Sequence, residues 1–135
     1  MKNLTTIVVL FVAVLFGTAT TASAKEVTLV VTASANDVYT ASLKAVREME
    51  FEVKTSDRDA GLIESQHKAG LTGEPNHYLD VEVKKTKAGS EVIVNARKRR
   101  LAFTGGSPEE RLQQFRTALV KILGEGTSVV VKDDK

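Results

Sequence analysis

The sequence predicts an α+β domain. It is an antiparallel sheet of four to six strands with two α-helices packed on one face, in the order β-α-β-β-β-β-α(-β). Three observations carry this. Several short segments are rich in β-branched residues or alternate apolar with polar, the pattern of half-buried strands. Two longer segments repeat apolar residues at spacings of three and four and open on a serine cap. The links between the middle strands are of hairpin length, which requires antiparallel neighbours. Two one-sided helices must bury their stripes, and one face of the sheet can receive both.

Glu26 to Thr32 is dominated by Val and Thr and reads as the first strand. Ser34 to Asp37 supplies a capping box, and a helix is expected from about Asn36 to Glu50. Its stripe is Tyr39, Leu43, Val46 and Met49, widened by Val38, Ala41 and Ala45. Phe51, Val53 and Thr55 alternate with Glu52 and Lys54, giving a second strand. Asp57 to Gly61 is a tight turn, with Asp side chains bonding their own backbone and Gly61 at positive φ. Leu62–Lys68 is a third strand, and Ala69–Asn76, with two glycines and a proline, is loop. His77–Thr86 puts Leu79, Val81 and Val83 on one face and Asp80, Glu82 and Lys84 on the other, wet one. After the Lys87-Ala88-Gly89 turn, Val92, Val94 and Ala96 begin a strand expected to reach about Phe103. Gly105-Gly106 then breaks the chain.

Ser107-Pro108-Glu109-Glu110 is a second helix start, with a hydroxyl cap, proline in the first turn and a glutamate placed to close the box. Leu112, Phe115, Leu119 and Ile122 form its stripe, and Gly124 stands where a left-handed cap would end it. Ser128 to Val131 is a last short strand, or else an exposed adhesive segment.

The first 24 residues have another character. Lys2 precedes an unbroken apolar run from Ile7 to Phe16, and Ala22-Ser23-Ala24 fits a signal-peptidase site. About ten apolar residues are half of what a transmembrane helix requires. The expectation is a cleavable leader over 1–24 and one domain over 25–135, ordered from about 26 to 131, in the periplasm. Cleavage leaves 111 of the 135 residues, with 18 basic and 17 acidic side chains and a net charge of +1. That balance argues against a general nucleic-acid binder. With no cysteine in the chain, disulfides, thiol chemistry and a lipidated cysteine anchor are excluded, and no second run is long enough to span a membrane.

Few residues suggest chemistry. His67 and His77 flank one loop, with Glu74 as the nearest third ligand, but two imidazoles define no closed metal site and rim histidines on a solvated loop are the simpler reading. Asp57, Asp59 and Gly61 lack the remaining ligands of a calcium loop. No nucleophile elbow, phosphate loop or carboxylate pair in an apolar setting stands out, so neither an enzyme nor a cofactor is expected. Arg97, Lys98, Arg99 and Arg100 form the densest charge run. On a strand they alternate between faces, either as a contact for an anionic envelope component or as a guard against edge pairing.

From Val38 to Ser65 a helix leads through Met49-Glu50-Phe51-Glu52-Val53 to Asp57-Arg58-Asp59-Ala60-Gly61-Leu62-Ile63. This segment, about a quarter of the chain, resembles the helix-grip domains of BamC-type lipoproteins of the Gram-negative envelope. The resemblance implies a non-enzymatic scaffold or binding domain, in which Phe51 and Val53 enter the core and Gly61 turns the chain. The expected function is an exported interaction module that uses the open sheet face or the groove beside the Ser107–Leu123 helix. The alternative is a small-ligand or lipid carrier with a cavity lined by Leu43, Phe51, Val81, Val94 and Phe115.

Overall fold

The computed structural model describes residues 23–67, 77–98 and 107–132. The elements are β1 (Ser23–Val31), α1 (Ala35–Glu48), β2 (Phe51–Asp57), β3 (Leu62–His67), β4 (His77–Thr86), β5 (Gly89–Lys98), α2 (Pro108–Leu123) and β6 (Val129–Val131). The strands form one six-stranded sheet in the order β2-β3-β4-β5-β1-β6, antiparallel at every pairing. The α+β class and the element order agree with the sequence.

This strand order explains why both helices share a face. β1 and β2 run parallel with three strands between them, and α1 links them. β5 and β6 run parallel with β1 between them, and α2 links those. Both links are crossovers, which keep one hand. They start from oppositely directed strands and move in opposite directions across the sheet, so one hand sets both helices on one side. There they pack on each other, α1 also on β2, β4 and β5, and α2 on β1 and β5.

The strands bury every second residue. His77, Leu79, Val81 and Val83 of β4, and Ser90, Val92, Val94 and Ala96 of β5, point at the helices. Leu29, Val31, Phe51, Ile63 and Ser65 join them from β1, β2 and β3. Phe115, Ala118 and Leu119 close the layer from α2. Each fully buried Leu or Phe contributes roughly 1.5–3 kcal/mol relative to exposure. Ser65 Oγ donates to the Leu79 carbonyl at 2.7 Å and Ser90 Oγ to the Ala33 carbonyl at 3.1 Å, so the two serine hydroxyls buried on the strands are satisfied.

The caps read from sequence are present. Ser34 Oγ accepts from the Asp37 amide at 3.2 Å, and Ser107 Oγ from the Glu110 amide at 3.2 Å. Three details differ. First, α1 turns its small residues inward: Val38, Tyr39, Ala41, Ser42, Ala45 and Val46 are buried, while Leu43 and Met49 pack at the flank. Small side chains let the helix approach the sheet, which rotates the stripe away from Leu43. Second, α1 ends at Glu48, and Glu50 turns the chain with φ 66° into β2. Third, Gly124 ends α2 with φ 81° but ψ −179°, so the cap is not left-handed helical. Expected structure over Lys68–Asn76 and Arg99–Gly106 lies outside the described residues.

Candidate functional site

Among the described residues nothing covers the side of the sheet away from the helices, and its residues fall into rows set by the strand register. The central row is Glu64, Asp80, Asn95 and Glu26, from β3 to β1. Beside it run Leu62, Glu82, Ile93 and Thr28. On the other side Gln66, Tyr78 and Arg97 line up. A shallow depression of about 310 Å³ spans the first two rows, lined by Glu26, Leu62, Glu64, Asp80, Glu82 and Asn95 among others. Four carboxylates thus surround two aliphatic side chains, Leu62 and Ile93.

Like charges directly opposite across a strand pair repel, as Glu64 and Asp80 do here. Arg97 offsets part of this: one guanidinium nitrogen donates to Asp80 Oδ2 at 3.1 Å, and the group lies 4.9 Å from the Tyr78 ring centre. The Asp80 carboxyl is pushed above its usual range, first by partial burial and further by Glu64, with Arg97 opposing. Asn95 Nδ2 reaches Glu26 Oε2 at 3.4 Å, and Lys132 reaches Glu91 at 3.3 Å. The face is a flat, acid-rich platform with tethered side chains and a small apolar centre.

The basic run divides as the alternation predicts. Arg97 lies on the open face, engaged by Asp80 and Tyr78, and Lys98 takes the other side, opposite Ser23 of β1. Arg99 and Arg100 lie outside the described residues. Of the residues named for a cavity, Phe51, Val81, Val94 and Phe115 are buried in one continuous apolar core, and Leu43 packs against its margin.

His77 corrects the sequence reading. It is no rim residue: it opens β4 on the helix-facing side and is 1% exposed. The His77–Thr86 alternation already put it on the face of Leu79 and Val81, and that signal outweighs its position beside a loop. His67, half-buried, sits edge-on to Phe51, ring centres 5.2 Å apart. Glu74 lies outside the described residues. Among the described residues no group of three or more His, Asp or Glu could hold a metal ion. Asp57 Oδ1 accepts from the Ala60 amide at 3.1 Å, as a tight turn requires.

The second expected surface, beside α2, is a groove of about 510 Å³ between Glu48–Glu50, His67 and Arg111, Gln114, Thr117 and Lys121. Burial lowers the Arg111 pKa, with Glu110 opposing, and its guanidinium lies 5.7 Å from the Phe51 ring centre. This groove mixes both charge signs, whereas the charged groups lining the depression on the open face are all carboxylates. Glu26, Glu64, Leu62 and Ile93 were not singled out from sequence. Strand alternation gives their face, but only the register brings residues from four strands together.

No protein-family model matches the chain, and no curated protein matches it. No helix of the described residues is long and apolar enough to cross a membrane.

Proposed function

We propose that this chain is an exported, non-enzymatic envelope protein that binds a partner protein through the open face of its sheet. The observation that supports this reading is the acidic row Glu64–Asp80–Glu26 with Glu82, set around Leu62 and Ile93 on a rigid six-stranded platform. Such a face complements a partner segment bearing Lys or Arg around an apolar residue, because complementary potentials steer and orient association. Arg97 is already neutralised by Asp80 and so contributes little attraction for an anionic component. Export follows from the 1–24 leader. Cleavage after Ala24 removes the Ser23 and Ala24 pairings and leaves β1 from Lys25 to Val31 against Ala96 to Ser90.

The test uses the 25–135 chain immobilised and exposed to periplasmic extract, beside a Glu64→Lys/Glu82→Lys variant of unchanged circular dichroism. The wild type should retain a protein that salt releases, and the variant should lose it. Retention indifferent to the charge reversal, or no retention at all, overturns the reading. Intact precursor in the cytosol, in place of a periplasmic chain starting at Lys25, overturns the export step.

A further inference from the structure

The two edges of the sheet are built differently. At one edge β2 carries Glu52 and Lys54, paired at 3.1 Å, and its register shifts between Val53 and Thr55. Charges and an irregular ladder are devices that stop edge strands from pairing. At the other edge β6 is Val129-Val130-Val131. Val130 is 54% and Val131 40% exposed, with Val30, at 37%, opposite Val130 in the ladder. Val120, at 42%, follows Leu112 and Arg116 along one stripe of α2, and those two line a groove with Val131. Four of the five large exposed apolar residues among those described therefore flank one edge, Leu62 being the fifth.

The hydrogen-bond phase shows what that edge offers. The Lys132 amide donates to the Thr28 carbonyl at 2.8 Å, and the Thr32 amide to the Ser128 carbonyl at 3.1 Å. In an antiparallel ladder bonded pairs alternate, so Val130 bonds inward to β1. Val129 and Val131 turn their N–H and C=O groups outward. Two donors and two acceptors, spaced two residues apart about Val130, are complementary to themselves under a two-fold rotation.

We propose that the β6 edge docks a second copy of this chain, with the two β6 strands antiparallel about a two-fold axis at Val130. Val129 of each copy exchanges both hydrogen bonds with Val131 of the other, and Val130 packs against its own mate on the open side. The axis is normal to the sheet, so both open faces look the same way. The paired sheet is continuous across the dimer. A three-residue strand buries little area, so the expected dissociation constant is about 10–1,000 µM.

Two experiments on the 25–135 chain test this. Val130→Cys introduces a sole thiol, since the chain has no cysteine. Across the axis the two Cα atoms form a non-hydrogen-bonded pair about 4.5 Å apart, within disulfide reach. Under diamide this variant should cross-link into dimers far faster than Thr55→Cys on the β2 edge. In sedimentation the wild-type mass should rise from one chain toward two with concentration. Val131→Pro should stay at one chain with unchanged circular dichroism, because it removes only an outward N–H. A wild type that stays monomeric up to about 1 mM, or Val130→Cys that links no faster than Thr55→Cys, overturns the proposal.

Discussion

Gly61→Ala is expected to be among the most destabilising single-methyl additions to this domain. Gly61 closes the β2–β3 turn at φ 71°, where a side chain strains the backbone. A left-handed non-glycine residue costs about 1–2 kcal/mol. A methyl built there also falls 2.2 Å from the Val83 carbonyl oxygen. The turn cannot retreat freely, because the Val83 amide donates to the Gly61 carbonyl at 2.8 Å. Overpacking of this kind costs about 1–3 kcal/mol, which brings the total to about 2–5 kcal/mol. With a urea m-value of about 1–2 kcal/mol/M for a domain of this size, the midpoint should fall by about 2 M. Gly126 is the control. It also has positive φ (90°), but its added methyl meets nothing within 4 Å, so Gly126→Ala should show strain alone. The measurement is urea unfolding of the 25–135 chain followed by circular dichroism. Equal losses for the two variants would refute the close approach of the turn to β4.

Two further perturbations follow from single residues. The folded-state pKa of Asp80 is raised, chiefly by burial, so folding favours its protonated form. That contribution is fully present below the ordinary carboxylate range and is lost as pH rises through the raised value. Asp80→Asn should therefore raise the unfolding midpoint at neutral pH, with the advantage shrinking as pH falls toward about 4. A less stable Asp80→Asn at neutral pH would mean that the Arg97 ion pair outweighs burial. Glu50 is a non-glycine residue at φ 66°, and Glu50→Gly relieves strain at a smaller entropic cost. A gain of about 0.5–1 kcal/mol in urea unfolding is expected, and a loss would show that the Glu50 side chain holds the α1–β2 corner.

The uncovered face and the β6 edge give the molecule two surfaces of different chemistry. The face is charged, and its ion pairs and cross-strand contacts fix side chains without covering them. The edge is apolar and backbone-rich, the material of strand addition. Because the proposed two-fold axis is normal to the sheet, edge pairing leaves the face free. The two proposals can therefore fail independently: Glu64→Lys/Glu82→Lys disturbs the face, and Val131→Pro the edge.

Features that depend on near neighbours are legible in the amino-acid order alone. The two serine caps, the proline start of α2, the Asp57–Gly61 turn and the period-two burial of β4 and β5 are local matters of hydrogen bonding and pleat. Tertiary structure decided the rest. Nothing local says that β1 lies between β5 and β6, because a strand's partners are chosen by the crossovers and by burial of the helices. Nothing local ends α1 at Glu48, since no glycine marks the spot and the corner is imposed by Phe51 entering the core. The acidic row joins Glu26 to Glu64 across four strands, and among the described residues β6 has no outer neighbour because it ends the strand order. Composition and pattern fix what each segment is, whereas the pairing of distant segments fixes which residues meet.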